Sequence, residues 1–250
     1  MRKFTSWSNV AVWYDDVIEK EDSYQRKLIL PNLLRLIDVN RKDTVLDLGC
    51  GQGFFTREFS KLGAKVIGVD ISEELILLAK KHSSNLITYL TSDADNLPFL
   101  TSSSIDKIMI ILSIQNIENV HGVFNECARV LRPNGKMYLV LNHPAFRVPK
   151  GSSWGWDEEK KIQYRRIDNY LSESKAKIQI HPGSNPSDFT WSFHRPLQFY
   201  SKILAKNNFC ISRIEEWNSR KKSEIGPRAI AEDKARKEIP LFMFLEAKKD

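Results

Sequence analysis

What this sequence has little of narrows its class first. Cysteine is scarce: Cys50, Cys127 and Cys210 are the three in 250 residues, odd in number and far apart. They form neither a metal-ligand spacing nor a disulfide framework, which points to a reducing compartment and no structural metal. No uninterrupted apolar run reaches eighteen residues, so no transmembrane helix is expected. The opening MRKFTSWSNVAVWYDD lacks the apolar stretch and small-residue cleavage site of a secretory signal. A cytoplasmic protein without a membrane partner is the expectation. Internal repeats and low-complexity tracts are also missing, so the chain reads as one domain with an elaboration.

Acidic residues are outnumbered, 31 against 38 Lys and Arg, for a formal charge of +7. A basic balance raises the question of nucleic acid, and its distribution answers it. Residues 143–195 hold nine basic against six acidic side chains, and residues 219–250 hold the same nine against six. Only SRKK at 219–222 is compact. Charge scattered in this way describes a solvated surface rather than a footprint, so no specific nucleic acid partner is expected.

What is present is a rhythm. TVLDLG (44–49), KVIGVD (65–70), LITYLTSD (86–93), IDKIMIILSI (105–114) and KMYLVLN (136–142) read as short strands. Helical patterns fall before and between them at 28–37, 54–63, 73–81 and 120–131. Pro31 sits near the first turn of the first helix, Gly63 closes the second, and Ser72 caps the third. After Asn142 the rhythm breaks into a stretch rich in Pro, Gly, Ser and aromatics. It resumes with a helix at 197–207, a strand at 210–217, a helix at 229–238 and a strand at 241–249. Near-continuous apolar strands alternating with helices imply a parallel sheet covered on both faces. The expectation is an α/β, doubly wound, seven-stranded Rossmann-like sheet with its last strand antiparallel and an insertion after strand five.

Ligands of such sheets bind beyond the carboxyl ends of the strands. VLDLGCGQGFF (45–55) sets Gly49, Gly51 and Gly53 there, where bare backbone admits close approach and a helix N-terminus follows. Asp70 ends the second strand, seventeen residues beyond Gly53, where a carboxylate can accept from both hydroxyls of a ribose. A dinucleotide fingerprint, G-x-G-x-x-G, would need glycine where Phe54 stands. That disfavours an NAD-dependent dehydrogenase. Asp47 before the loop suits a cationic ammonium better than a pyrophosphate. In SDADNLPF (92–99), Asp93 can accept from the exocyclic amine of adenine while Ala94 and Leu97 wall the ring. An amine, a ribose and an adenine together describe S-adenosylmethionine.

VLDLGCGQG, GVDIS, SDADNLPF, IDKIMIILSIQNIEN and ECARVLRPNGKMYLV, in this order, resemble the successive motifs of class I S-adenosylmethionine-dependent methyltransferases. The type 11 set, similar to the ubiquinone/menaquinone-biosynthesis C-methyltransferases, fits best, over roughly residues 28–142. The resemblance implies that Gly49, Gly51 and Gly53 line the methionine moiety with Asp47 near its amino group. It implies that Asp70 holds the ribose and Ile71 packs on the adenine, whose edge Asp93 and Ala94 recognise. Cys50 and Ser113 complete the expected cofactor set. Where many relatives carry a histidine pair, this chain has Gln115 and Asn116, and neither amide can take a proton. The N-terminal segment 1–27 resembles the arm that covers the cofactor, with Tyr14 as the expected contact and Tyr24 behind it.

Methyl transfer from a sulfonium is an in-line displacement that needs alignment and dryness more than a base. Any base is sought in 143–195, read as a lid over the acceptor. Residues 143–200 hold ten of the chain's 26 aromatics, enough to order the segment. His143, Tyr164 and His194 are the candidate catalytic groups, with Arg147, Trp154, Trp156, Asp157, Trp191 and Arg195 around them. The expected function is methyl transfer to a small molecule by a monomer or homodimer. The alternatives are an RNA or protein methyltransferase, or a non-catalytic S-adenosylmethionine-binding protein.

Overall fold

A computed structural model describes residues 6–180 and 188–250. Positions 1–5 of the expected N-terminal arm and 181–187 of the expected insertion lie outside the described residues. Eleven strands and eight α-helices are described. Seven strands form one sheet: β1 (Thr44–Leu48), β2 (Lys65–Asp70), β3 (Ile87–Thr91), β4 (Ile105–Ile111), β5 (Leu131–Asn142), β10 (Phe209–Trp217) and β11 (Phe242–Lys249). Their order is β10-β11-β5-β4-β1-β2-β3. β1 pairs in parallel with both β2 and β4, and β11 runs antiparallel between β5 and β10. The doubly wound sheet with an antiparallel last strand is therefore the one expected. Strand order reverses at β1 and β4, which opens a crevice at their carboxyl ends.

The apolar runs of these strands are covered on both sides. Leu46, Leu48, Ile108, Ile110 and Leu139 are buried on one side, against α6 (Val120–Val130) and α7 (Leu197–Lys206). Val45, Val66, Met109, Tyr138 and Val140 are buried on the other, against α3 (Leu30–Leu36) and α4 (Phe54–Lys61). The two sets alternate along each strand, as a period of two requires. Ser72 caps α5 (Glu73–Lys81), its side chain accepting from the Leu75 N–H at 3.3 Å. Pro31 lies in the first turn of α3, entered through a π-helical turn over Gln25–Ile29. α8 (Ala229–Glu238) completes the helices between β10 and β11.

The stretch after β5 contains more regular structure than its composition suggests. It forms two antiparallel hairpins, β6 (Ser152–Asp157) with β7 (Ile162–Ile167), and β8 (Ser174–Gln179) with β9 (Phe189–His194). Ahead of the sheet, α1 (Ser6–Asn9) contacts β9 and α5, and α2 (Ala11–Glu19) contacts α5. The N-terminal helices and the second hairpin thus meet above the carboxyl ends of the strands.

Candidate functional site

The glycine loop is held by backbone bonds before any ligand is considered. The N–H groups of Gly49 and Cys50 both donate to the Val69 carbonyl, at 2.7 and 3.0 Å, which pins the loop to the end of β2. Gly49 has φ +76°, and a β-carbon there would run into the Ser113 side chain. Gly51 has φ +56° with only Tyr14 nearby, so its backbone faces open space. Ser113 Oγ donates to the Leu48 carbonyl at 3.0 Å, fastening the end of β4 to that of β1. Leu112 takes φ +57°, an uncommon conformation for a branched residue, where β4 turns away from the sheet.

These constraints frame a cavity of about 570 Å³ beyond the ends of β1, β2, β3 and β4. Of the expected cofactor residues, Tyr14, Gly49, Gly51, Asp70, Ile71, Asp93, Ala94 and Ser113 all line it. Asp70 accepts from the Gly51 N–H and the Ser72 N–H, both at 2.9 Å. Burial nevertheless pushes its carboxyl above the ordinary aspartate range, the backbone bonds from Ser72, Gly51 and Ile71 only partly offsetting it. Enclosure pushes the Tyr14 phenol up as well, and the nearby Asp70 adds to this, so the hydroxyl stays a neutral donor. Among the described residues, four acids line the cavity, Asp70, Asp93, Asp95 and Glu118, and no Lys, Arg or His does. Glu118 pairs with Lys175 at 2.9 Å, and Asp95 accepts from Asn119 at 2.6 Å.

Three residues of the expected cofactor set take other places. Asp47 is 2% exposed and accepts from Thr56 Oγ1 at 2.5 Å beneath the loop, not at the cavity wall. Burial pushes its carboxyl up to about 7, Thr56 lowers it and Asp70 raises it. Cys50 points to the opposite side of the loop, against Gly68 and the cluster of Ile76 and Tyr89, and burial pushes its thiol up. Gly53, with φ +82°, heads α4 and faces the Tyr89 hydroxyl.

The three candidate catalytic residues stand elsewhere: none lines this cavity or the one beside it. His143 Nε2 meets Glu216 Oε1 at 2.5 Å while its Nδ1 accepts from the Ala145 N–H at 3.2 Å. Both ring nitrogens are engaged, in the pattern of a neutral imidazole donating through Nε2, and burial lowers its proton affinity. His194 turns away from the cavity that its neighbour Phe193 lines, and Nε2 meets the Tyr170 carbonyl at 2.7 Å. Tyr164 is an exposed residue of β7 whose ring lies across Gly155. Arg195 also serves the scaffold, donating to the carbonyls of Ile117 and Glu118 at 2.9 and 3.0 Å.

A second cavity of about 500 Å³ adjoins the first, and Trp7, Tyr14, Asn116 and Thr190 line both. Gln115 stands behind this junction, accepting from the Asn142 N–H at 2.9 Å and donating to its carbonyl at 3.3 Å. Trp7 and Thr190 carried no motif that could reveal them, whereas Asn116 stood in the motif after β4. They meet Tyr14 only because the arm, the turn after β4 and the second hairpin converge. Among the described residues, no group of His, Cys, Asp and Glu could hold a metal ion. No helix there is long and apolar enough to cross a membrane.

The cavity fits S-adenosylmethionine on its own chemistry. Bare backbone stands at Gly51, a carboxylate ends β2, a second stands beside Ala94, and acids without bases suit a cation. Comparison with known proteins agrees. A family model described as a methyltransferase domain matches residues 46–139. A ubiquinone biosynthesis O-methyltransferase from Bartonella tribocorum is 28% identical over 187 residues, covering 66% of this chain and 73% of that protein. A biotin biosynthesis bifunctional protein from Cellvibrio japonicus is 32% identical over 166 residues, 66% of this chain, but the match spans only 30% of that protein. The crystal structure of an S-adenosylmethionine-dependent methyltransferase from Mesorhizobium loti superposes with a TM-score of 0.72. It is 25% identical and covers 92% of this chain and 99% of that one. Residues 46–139 thus match a methyltransferase domain, the whole chain is similar in fold to an S-adenosylmethionine-dependent methyltransferase, and S-adenosylmethionine is the cofactor that this domain and fold imply.

Proposed function

We propose that the protein transfers the methyl group of S-adenosylmethionine to a small-molecule acceptor. The observation that carries this reading is the pair of adjoining cavities, one acid-lined on the glycine loop, the other reached past Tyr14, Asn116 and Thr190. The second cavity, at about 500 Å³, is of the size that takes small ligands. The two relatives are named for ubiquinone and biotin biosynthesis, which favours a metabolite over RNA or protein.

The cofactor, when bound, supplies a methyl carbon already activated by a positively charged sulfur. The chain's own residues bind, orient and keep water out. Asp70 accepts from the ribose hydroxyls, with its position fixed by the Gly51 and Ser72 N–H groups. Asp93 and Ala94 hold the adenine edge, Ile71 packs on its face, and Gly49 and Gly51 give backbone access to the methionine part. Ser113 keeps the ends of β1 and β4 together at the loop. Trp7, Tyr14 and Phe193 cover the cavity with apolar surface, so α1, α2 and the β8–β9 hairpin act as a lid. With the cofactor supplying the methyl group, Tyr14, Asn116 and Thr190 at the junction would align the acceptor with it. Among the described residues no histidine or carboxylate lines the second cavity, so alignment rather than proton removal is the protein's part.

The test is direct. Calorimetry is expected to detect S-adenosylhomocysteine binding and no NAD binding. Incubating the protein with S-adenosylmethionine and a metabolite extract is expected to yield a methylated small molecule by mass spectrometry. NAD binding, or saturable binding of one RNA at physiological salt, would sink the reading.

A further inference from the structure

The second cavity carries charge of one sign only. Arg147, Lys150 and Arg165 line it, and among the described residues no Asp, Glu or His does. Arg147 follows β5 and Arg165 belongs to β7, yet both guanidinium groups lie over one indole, 5.6 and 5.2 Å from the Trp154 ring centroid. Arg165 is anchored to protein, Nε donating to the Phe146 carbonyl at 2.9 Å and a terminal nitrogen to Ser152 Oγ at 2.7 Å. Among the described residues the Arg147 guanidinium has no such anchor. Among the described residues it forms no ion pair with a carboxylate, and its Nε is buried without a hydrogen-bond partner.

That arrangement is costly as it stands. Other arginines shielded from water are answered, Arg57 by Glu19, Arg129 by Glu126 and Arg195 by the carbonyls of Ile117 and Glu118. A guanidinium held away from water with an unmade donor loses free energy until an anion arrives. Arg165 beside it adds repulsion of the same sign, and burial together with that repulsion lowers the proton affinity of Arg147. A planar fork of donors matches a carboxylate or phosphate, two oxygens at a time.

We propose that the acceptor is an anion, a small molecule whose carboxylate or phosphate group is bound by Arg147 and Arg165. This rests on the two-cavity reading given above. The anionic group docks over Trp154, and the acceptor atom reaches the junction at Tyr14, Asn116 and Thr190. One cavity is lined by acids and suits a cation; its neighbour is lined by bases and suits an anion. Each therefore repels the other's ligand, which gives specificity without further contacts. Arg147 and Arg165 are binding residues here and take no proton in the transfer.

The test uses the full chain saturated with S-adenosylhomocysteine and three probes of similar shape: 4-hydroxybenzoate, phenyl phosphate and neutral 4-hydroxybenzamide. Calorimetry at low, fixed ionic strength is expected to show at least one anion binding about tenfold or more above the amide, the scale of charge-assisted hydrogen bonds. Preference between the two anions tells carboxylate from phosphate. Arg147→Gln is expected to weaken the bound anion about tenfold while leaving S-adenosylhomocysteine affinity unchanged. Since Arg147 packs on Trp154, its loss could disturb the fold, so Lys150→Glu at an exposed position serves as second variant and is expected to weaken the same anion. Anions that bind no better than the amide, or that are indifferent to both substitutions, overturn the proposal. Failure of S-adenosylhomocysteine to bind the unaltered protein would strike at the cofactor reading instead, and the same titrations without it still decide the role of the arginines.

Discussion

The Gly51 N–H donates to Oδ2 of Asp70 over 2.9 Å, so the glycine loop and the carboxylate that ends β2 are mechanically joined. Ser72, the cap of α5, donates its N–H to the other oxygen. A single side chain thus fixes the loop after β1, its own strand end and the start of a helix. On the proposed cofactor site, Asp70→Ala removes a ligand contact and the loop's anchor together. S-adenosylhomocysteine affinity is expected to fall by about 1–3 kcal/mol, read by calorimetry. Unchanged affinity would remove Asp70 from the cofactor site.

Gly49 and Gly51 are expected to differ when each is changed to alanine. Both have positive φ, which costs a residue with a β-carbon about 1–2 kcal/mol. At Gly49 the new methyl also meets Ser113, whereas at Gly51 its nearest neighbour is Tyr14 Cε1 at 3.6 Å. Thermal unfolding should show Gly49→Ala as the more destabilised of the two. Pairing it with Ser113→Gly should recover part of the loss, and equal melting temperatures for the two single variants would contradict this geometry.

His143→Ala is a test of structure. It leaves Glu216 without its buried partner and the Ala145 N–H unanswered, at an expected cost of about 1–3 kcal/mol in unfolding free energy. S-adenosylhomocysteine affinity should not move. The native imidazole binds a proton less readily than the unfolded one, so below pH ~6.5 the unfolded chain takes up more protons and this residue's contribution declines as pH falls. The variant should lack that decline.

Asp47 works in the opposite direction. Its native carboxyl, pushed up to about 7, holds a proton that the unfolded chain releases at about pH 4. Between those values the native state binds more protons, so stability falls as pH rises and levels off above about 7. The loss from this one group is at most about 4 kcal/mol, since every tenfold gain in proton affinity corresponds to about 1.4 kcal/mol. Asp47→Asn, unable to ionise, should flatten the profile of unfolding free energy between pH 4 and 8, measured by denaturant titration. An unaltered profile would place the Asp47 titration near that of an ordinary aspartate.

The parallel sheet was legible because the central strands are apolar runs, β1 closed by a glycine and β2 by an acid, a signal contained within six or seven residues. The cavity's acids were legible for the same reason, since Asp70 and Asp93 stand at strand ends and need no partner to be located. The hairpins after β5 were not. SKAKIQ of β8 is polar at alternate positions and becomes a strand only by pairing with β9, across residues outside the described set. His143 was placed by position, one residue beyond β5, but its direction is set by Glu216, 73 positions away. Nothing local encodes that contact. Arg147 stood in the same stretch with the same composition, and only the approach of Arg165 and Trp154 from the first hairpin separates its role from that of His143.

The division between the two cavities has a consequence for how such a protein changes over generations. Apart from Trp7, Tyr14 and the β9 residues Phe189, Thr190, Trp191 and Phe193, the acid-lined cavity is built from the region between positions 49 and 119, while Arg147, Lys150 and Arg165 all come from the stretch after β5. That stretch leaves the sheet at one strand and rejoins it through one helix. Its hairpins can be exchanged, lengthened or recharged without disturbing the strand ends that face the cofactor. On the proposed function, a lineage can shift to a new acceptor by editing the part of that segment around Arg147, Lys150 and Arg165, leaving the strand ends of the donor half as inherited.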